Sequence, residues 1–271
     1  MKTVFCHAVL STLVTCTGVL MTMQAAHADI EAGSLHLLST DSDSSPIPRG
    51  LVVGAVAIGT SERYEAAGSE NYLIPGLVYF GNDTLYLGDR ARYYFHRDER
   101  FAAFAYGRVR FGNLDPDDER EFEGMDKRRT ELEAGLGVNL ITPYALLTAR
   151  AATDVTGASN GQEALLWADF PWVHDRWLIM PGTGVVWRSS KLANYYFGGV
   201  SASEATFERP RYSTGATLSP MVSLITTYRF SKNWLGTASL AYEHYDSSIA
   251  DSPLIDSKGE TTVIIGAGYT W

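Results

Sequence analysis

Cysteine is nearly absent: the 271-residue chain holds two, Cys6 and Cys16, both close to the N-terminus. Basic residues are outnumbered, with 22 Lys and Arg against 31 Asp and Glu, a net charge of −9 and no basic stripe. Neutralising phosphates takes clustered Lys and Arg, so nucleic acid is excluded as a partner. After residue 24 there is no apolar run of about 18 residues, which excludes a membrane-spanning helix. Disorder is excluded as well, since 15 Tyr, 11 Phe and 6 Trp provide far more apolar surface than a disordered chain carries. What is left is a folded, aromatic-rich and β-rich protein.

The first 28 residues set the compartment. Met1-Lys2 is a short basic start, Val4 to Met23 is mostly apolar or small, and Ala26-His27-Ala28 fits the A-x-A pattern of signal-peptidase cleavage. The expectation is a signal peptide over 1–28, with Ala26 and Ala28 as the cleavage residues and Asp29 as the mature N-terminus. Both cysteines fall in that leader, so the exported chain has no disulfide, thiolate metal site or cysteine nucleophile. Loss of Lys2 takes the net charge from −9 to −10. Residues 29–49 are polar, Ser- and Asp-rich and aperiodic, and read as a flexible lead-in to a single domain over 50–271.

From Leu51 onward the chain is a series of period-2 segments of about ten residues, separated by turn residues. The clearest runs from Thr130 to Leu140: Leu132, Ala134, Leu136, Val138 and Leu140 share one face, and Glu131, Glu133, Gly135, Gly137 and Asn139 the other. Thr261 to Trp271, Trp177 to Trp187 and Met221 to Phe230 repeat the pattern. Further strands are expected at 51–60, 70–80, 84–95, 100–111, 144–154, 163–173 and 234–245.

Alternation suits both a soluble sandwich and a membrane barrel, and three features favour the barrel. Connections alternate between short (96–99, 141–143, 174–175, 231–233) and long (112–128, 188–213, 246–260), as periplasmic turns and external loops do. Aromatics gather on the short-turn side at Phe101, Tyr144, Trp172, Trp177, Tyr228, Phe230, Trp234 and Trp271, forming an interfacial girdle. The last strand ends on an aromatic. Its outward row Val263, Ile265, Tyr269 and Trp271 resembles the signal read by the bacterial barrel-assembly machinery. The expected fold is therefore all-β: an antiparallel transmembrane β-barrel in the outer membrane of a Gram-negative bacterium, bathed by lipid and lipopolysaccharide.

Eleven segments do not make the even number that single-chain bacterial barrels show. Gly81-Asn82-Asp83 is also short where a long external loop is due. Twelve strands are expected, with ten as the fallback. A hidden strand near Ser34 to Leu38 would restore parity, as would demoting one early segment.

These residues resemble the MipA/OmpV family of Gram-negative outer-membrane proteins. The similar stretches are Tyr64-Glu65-Ala66-Ala67-Gly68-Ser69, Arg129 to Leu140, Pro181 to Trp187, and Asn194-Tyr195-Tyr196-Phe197-Gly198-Gly199-Val200-Ser201 with Glu204-Ala205. The closing block runs from Tyr228-Arg229-Phe230-Ser231 through Asn233-Trp234, Tyr242 and Asp251-Ser252-Pro253-Leu254-Ile255 to the C-terminus. An extra glycine between Phe197 and Val200, and Trp rather than Phe at the end, depart from the pattern. The resemblance implies a non-enzymatic barrel with no catalytic residue, metal or cofactor. One member type is a scaffold that joins a membrane-bound lytic transglycosylase to a bifunctional penicillin-binding protein, and others are adhesins or immunogenic surface proteins.

The residues themselves offer little catalytic chemistry. His36, His96, His174 and His244 lack partners at metal-ligand spacing. His244 near Ser247 or Ser248 permits a lipase reading, against the plainer one of a polar strand tip. Asp115, Asp117, Asp118, Glu119, Glu121 and Glu123 read as a solvated, self-repelling loop before a divalent-cation site. The inward charges say more. Arg108 and Arg110 on one strand should face Glu131 and Glu133 on the next, with Arg90, Arg92 and Arg150 extending the row. Such a lumen is either an ion-pair lattice that closes the barrel, the favoured reading, or a charged constriction of a small ion or solute channel.

Overall fold

The computed structural model describes residues 31–61, 70–112, 114–116 and 122–271. The expected signal peptide, with Ala26 and Ala28, lies outside the described residues. Within them the chain forms one closed antiparallel sheet. Its strands are β1 (Gly50–Thr60), β2 (Glu70–Phe80), β3 (Thr84–Tyr86), β4 (Arg90–Arg97), β5 (Phe101–Arg110), β6 (Glu131–Ile141), β7 (Leu146–Asp154), β8 (Gln162–Asp169), β9 (Trp172–His174), β10 (Trp177–Arg188), β11 (Thr217–Arg229), β12 (Trp234–His244) and β13 (Gly259–Thr270).

Strands β1 to β8 each pair with the next, as do β9 to β13, and β13 returns to β1 in a register running from Val52 opposite Thr270 to Thr60 opposite Thr262. β8 and β9 make one position in the wall, because both pair with β10, at Gly182–Arg188 and Trp177–Ile179 respectively. The ladder breaks between them at Pro171, which has no N–H to donate. The wall therefore has twelve strands.

Strand parity is restored by a break inside the segment expected at 84–95. Gly88, at φ +85°, and Asp89 turn the chain, and the Leu87 amide donates to the Arg90 carbonyl at 2.9 Å. That splits the segment into the three-residue β3 and the longer β4. Gly81-Asn82-Asp83 then falls on the short-turn side, where short connections belong. Ser34 to Leu38 is not a strand: Gly33–Leu38 is a 3-10 helix.

Alternation sorts the two faces as lipid and lumen require. Leu132, Leu136, Val138 and Leu140 are exposed on the outside of β6, whereas Glu131, Glu133 and Asn139 are buried inside. Val263, Ile265 and Trp271 likewise face outward. On the short-turn side the aromatic belt is nearly continuous, with ring centroids 4.5 Å apart for Trp177–Tyr228, 5.4 Å for Trp234–Tyr269 and 5.3 Å for Tyr269–Trp271.

The lumen is occupied. Far from lying loose, the polar segment before β1 is seated inside the barrel: Glu31, Ser34, Leu35 and His36 are all buried. Leu35 and Ile47 join inward Val52, Phe80, Leu178, Met180 and Ile225 in an apolar cluster at the periplasmic end. At the other end the long loops pack on one another. They carry α1 (Ser190–Tyr196), capped by Ser189, and α2 (Ser247–Ala250), capped by Asp246. Leu114, Phe122 and Met125 meet Leu192, Phe197 and Ile249 there in a separate cluster, an external cap.

Candidate functional site

The lumen of β4 to β8 carries the densest chemistry in the barrel. Register brings Arg108 opposite Glu133 and Arg110 opposite Glu131 on the inner face of β5 and β6. Arg108 Nη2 lies 2.7 Å from Glu133 Oε2, and Arg110 Nε lies 2.8 Å from Glu133 Oε1 and 3.5 Å from Glu131 Oε1. The four residues expected to face one another are thus brought together.

The centre of the network, however, is Glu163 on β8. Its carboxylate lies 3.2 Å from Arg108 Nη2, 2.6 Å from Arg110 Nη2, 2.9 Å from Arg150 Nη1 and 3.7 Å from Arg188 Nε. Arg188 in turn grips Glu243 on β12 at 2.5 and 2.9 Å, a fork-on-carboxylate pairing. On the periplasmic side Glu31 closes the array, with Oε1 2.5 Å from Arg92 Nη2 and Oε2 3.4 Å from Arg150 Nε. Five arginines thus meet five glutamates, and a buried charge is tolerable only when matched in this way. Aromatic faces cover the guanidinium groups: Arg92 sits 4.4 Å from the Phe104 ring centre, Arg150 4.8 Å from Tyr106, and Arg188 4.0 Å from Phe197. Of the three remaining arginines named from the sequence, Arg92 and Arg150 are in the array, while Arg90 pairs with its neighbour Asp89 at 2.8 Å.

Several contacts hold the N-terminal segment in place as a plug. Ser34 donates to Asp169 Oδ2 at 2.5 Å, and His36 stacks on Tyr94 with centroids 4.8 Å apart. A Cβ on Gly33 would fall 2.0 Å from Arg92 Cζ, so any larger residue there would push the guanidinium out of its place. The external cap has its own ion pair, Arg128 Nη1 to Glu204 Oε1 at 2.8 Å. Burial opposes charge on Glu204. Its bonds from Arg128 and from the Asp126 and Ser201 amides outweigh that and hold its pKa at about 2.

The remaining candidates stand apart from this network. His244 lies against Tyr242, while the Ser248 hydroxyl donates to Asp246 at 2.8 Å instead of facing the imidazole. In the acidic loop Asp115 pairs with Lys127, and Asp117 to Glu121 lie outside the described residues.

Three comparisons bear on identity. A family model described as "MltA-interacting protein MipA" matches residues 53–271. An MltA-interacting protein of Escherichia coli is 26% identical over 215 residues, covering 77% of this chain and 84% of that protein. The outer membrane protein OmpV of Vibrio cholerae is 28% identical over 157 residues, covering 57% of this chain and 60% of its own. Among solved structures, an outer-membrane channel of Pseudomonas putida is similar with a TM-score of 0.41 and 10% identity, covering 83% of this chain and 97% of that one.

Proposed function

Because the chain belongs to the MltA-interacting protein MipA family of outer-membrane barrels, we propose that it is a non-enzymatic scaffold that ties murein enzymes to the outer membrane. The observation that carries this reading is the charge-filled lumen along β4 to β8. A lumen spanned by ten paired charges, sealed below by residues 31–38 and roofed by packed loops, suits a rigid platform better than a conduit. The name of the Escherichia coli relative, MltA-interacting protein, supports a lytic transglycosylase as one partner; a penicillin-binding protein is the second partner of this proposal.

Binding would use the periplasmic face. The turn between β4 and β5 presents exposed Arg97, Asp98, Glu99 and Arg100, and a shallow cleft lined by Ser44, Asp175, Arg176, Trp177 and Tyr228 lies on the same end. The test is affinity capture from solubilised envelope on immobilised folded barrel, with an unrelated barrel of similar size as control. Specific retention of a lytic transglycosylase, weakened by Arg100→Glu with Asp175→Asn, is the expected result. Retention no greater than on the control, together with steady conductance in planar bilayers, would overturn the scaffold in favour of a small channel.

A further inference from the structure

The wall is not equally tall all the way round. β2 has eleven residues, but its neighbour β3 has three, and the two pair only at Tyr79–Tyr86 and Phe80–Leu85. β4 starts at Arg90, level with Arg108 near the external end of β5. Among the described residues, no strand pairs with the far edge of β2 at Asn71, Leu73, Pro75 and Leu77, and the strand beside that stretch is β1.

Hydrogen-bond parity shows which groups that edge presents. The Ser61 amide bonds to β13 through Thr261, so even-numbered residues of β1 turn to β2 and pair with even-numbered residues there. Odd-numbered β2 residues therefore point outward along the edge, as Gly81 does when its amide bonds to Thr84. Asn71, Leu73, Pro75 and Leu77 are the edge positions. Proline stands where an N–H would otherwise hang unpaired, which is how natural sheets mark an edge meant to stay open. Leu73 is 78% exposed, more than any other large apolar side chain in a strand.

The lumen behind this edge differs from the rest. On β1 and β2 the inward residues include half-buried Val56, Tyr72, Ile74 and Val78, joined by Ile264 on β13. Every charge of the arginine–glutamate array sits elsewhere. Edge carbonyls exposed to hydrocarbon alone would be costly, and irregular wall at membrane depth is tolerated where it lines a cavity.

We propose that the gap above β3 is a lateral window, through which small uncharged hydrocarbon-like molecules pass between the outer leaflet and an apolar half-lumen lined by Val56, Ile74 and Ile264. Its occupant is a bilayer-dissolved apolar molecule and not an added strand, because Pro75 removes a donor that strand addition would use. This site is independent of the scaffold surface, which lies at the opposite end.

The described chain lacks cysteine, so single thiols can be placed for a small bimane label in the full barrel reconstituted in vesicles. Ile74→Cys reports the half-lumen, and Leu73→Cys reports the lipid face. Ser223→Cys faces the lumen from β11, paired on both edges and away from Ile264, and measures quenching through an intact wall. Val56→Cys replaces Ile74→Cys if that variant does not assemble. Bromonaphthalene dissolved in the bilayer should quench the Ile74 label about as strongly as the Leu73 label and well beyond the Ser223 label. Quenching by lipids brominated on their acyl chains as well would identify a lipid chain as the entering hydrocarbon. Quenching at Ile74 no greater than at Ser223 with both reagents would overturn the window.

Discussion

Glu163 is the most demanding single test of the luminal lattice. Its two oxygens serve Arg108, Arg110 and Arg150 at 2.6–3.2 Å, with Arg188 at 3.7 Å, and the side chain is inaccessible to solvent. Glu163→Gln keeps the shape and one acceptor but leaves five arginines facing four carboxylates. Removing one partner of a buried ion pair typically costs about 3–5 kcal/mol, mostly because the other charge is left uncompensated. With an m-value of about 3 kcal/mol/M, the urea midpoint of the purified barrel should fall by about 1–1.7 M. Tryptophan fluorescence and heat-modifiable gel mobility would follow the transition. Pairing Glu163→Gln with Arg108→Met should recover part of the loss, since residues sharing a network couple by about 0.5–3 kcal/mol. An unchanged midpoint in Glu163→Gln, or strictly additive losses in the double variant, would refute the lattice as a stabilising element.

Three further outcomes are expected. Glu31→Ala uncouples the plug from Arg92 and Arg150 and should turn a silent barrel into one with steady bilayer conductance, so silence in the variant would count against a sealing role. Glu204, held at about 2 against an ordinary 4.5, stays charged in the folded cap. Its contribution is full above about pH 4.5 and is lost as pH falls towards 2, so the Asp126 and Ser201 amides should lose hydrogen-exchange protection over that range. Glu204→Gln should remove that pH dependence. N-terminal sequencing of protein from outer membranes should begin at Asp29; a start at Met1 would dispose of the signal peptide.

The strands and their faces were legible because a wall one residue thick between lipid and lumen forces strict alternation. Two neighbouring segments of known polarity sufficed to put Arg108 and Arg110 against Glu131 and Glu133. Glu163 was also within reach, since it opens a strand expected at 163–173 on the same side as Leu165 and Trp167. Its role as the centre depends on how β7 and β10 flank β8, which no local pattern encodes. Glu31 was harder still: it reaches Arg92 and Arg150 from a polar segment with no period, so composition alone suggested a loose lead-in. The β3–β4 break was written in Gly88-Asp89, but the apolar residues on both sides masked it as one strand. The external cap hid in loops whose apolar residues, such as Phe122 and Ile249, are too widely spaced to signal a core.

The seam between β1 and β13 carries a consequence for biogenesis. Val52 bonds alongside Thr270 and Thr60 alongside Thr262, so the first and last strands of the wall are each other's neighbours. No partial chain can close that circle, and pairings so distant in sequence form slowly. Packing there is also close: a Cβ on Gly54 would fall 1.9 Å from the Ala267 carbonyl oxygen. Glu31 stands only nineteen positions before Gly50, on the tether that enters the ring. With the seam closed, the arginines that Glu31 meets lie inside a continuous wall, so the N-terminal segment is held both by its ion pairs and by the ring around it.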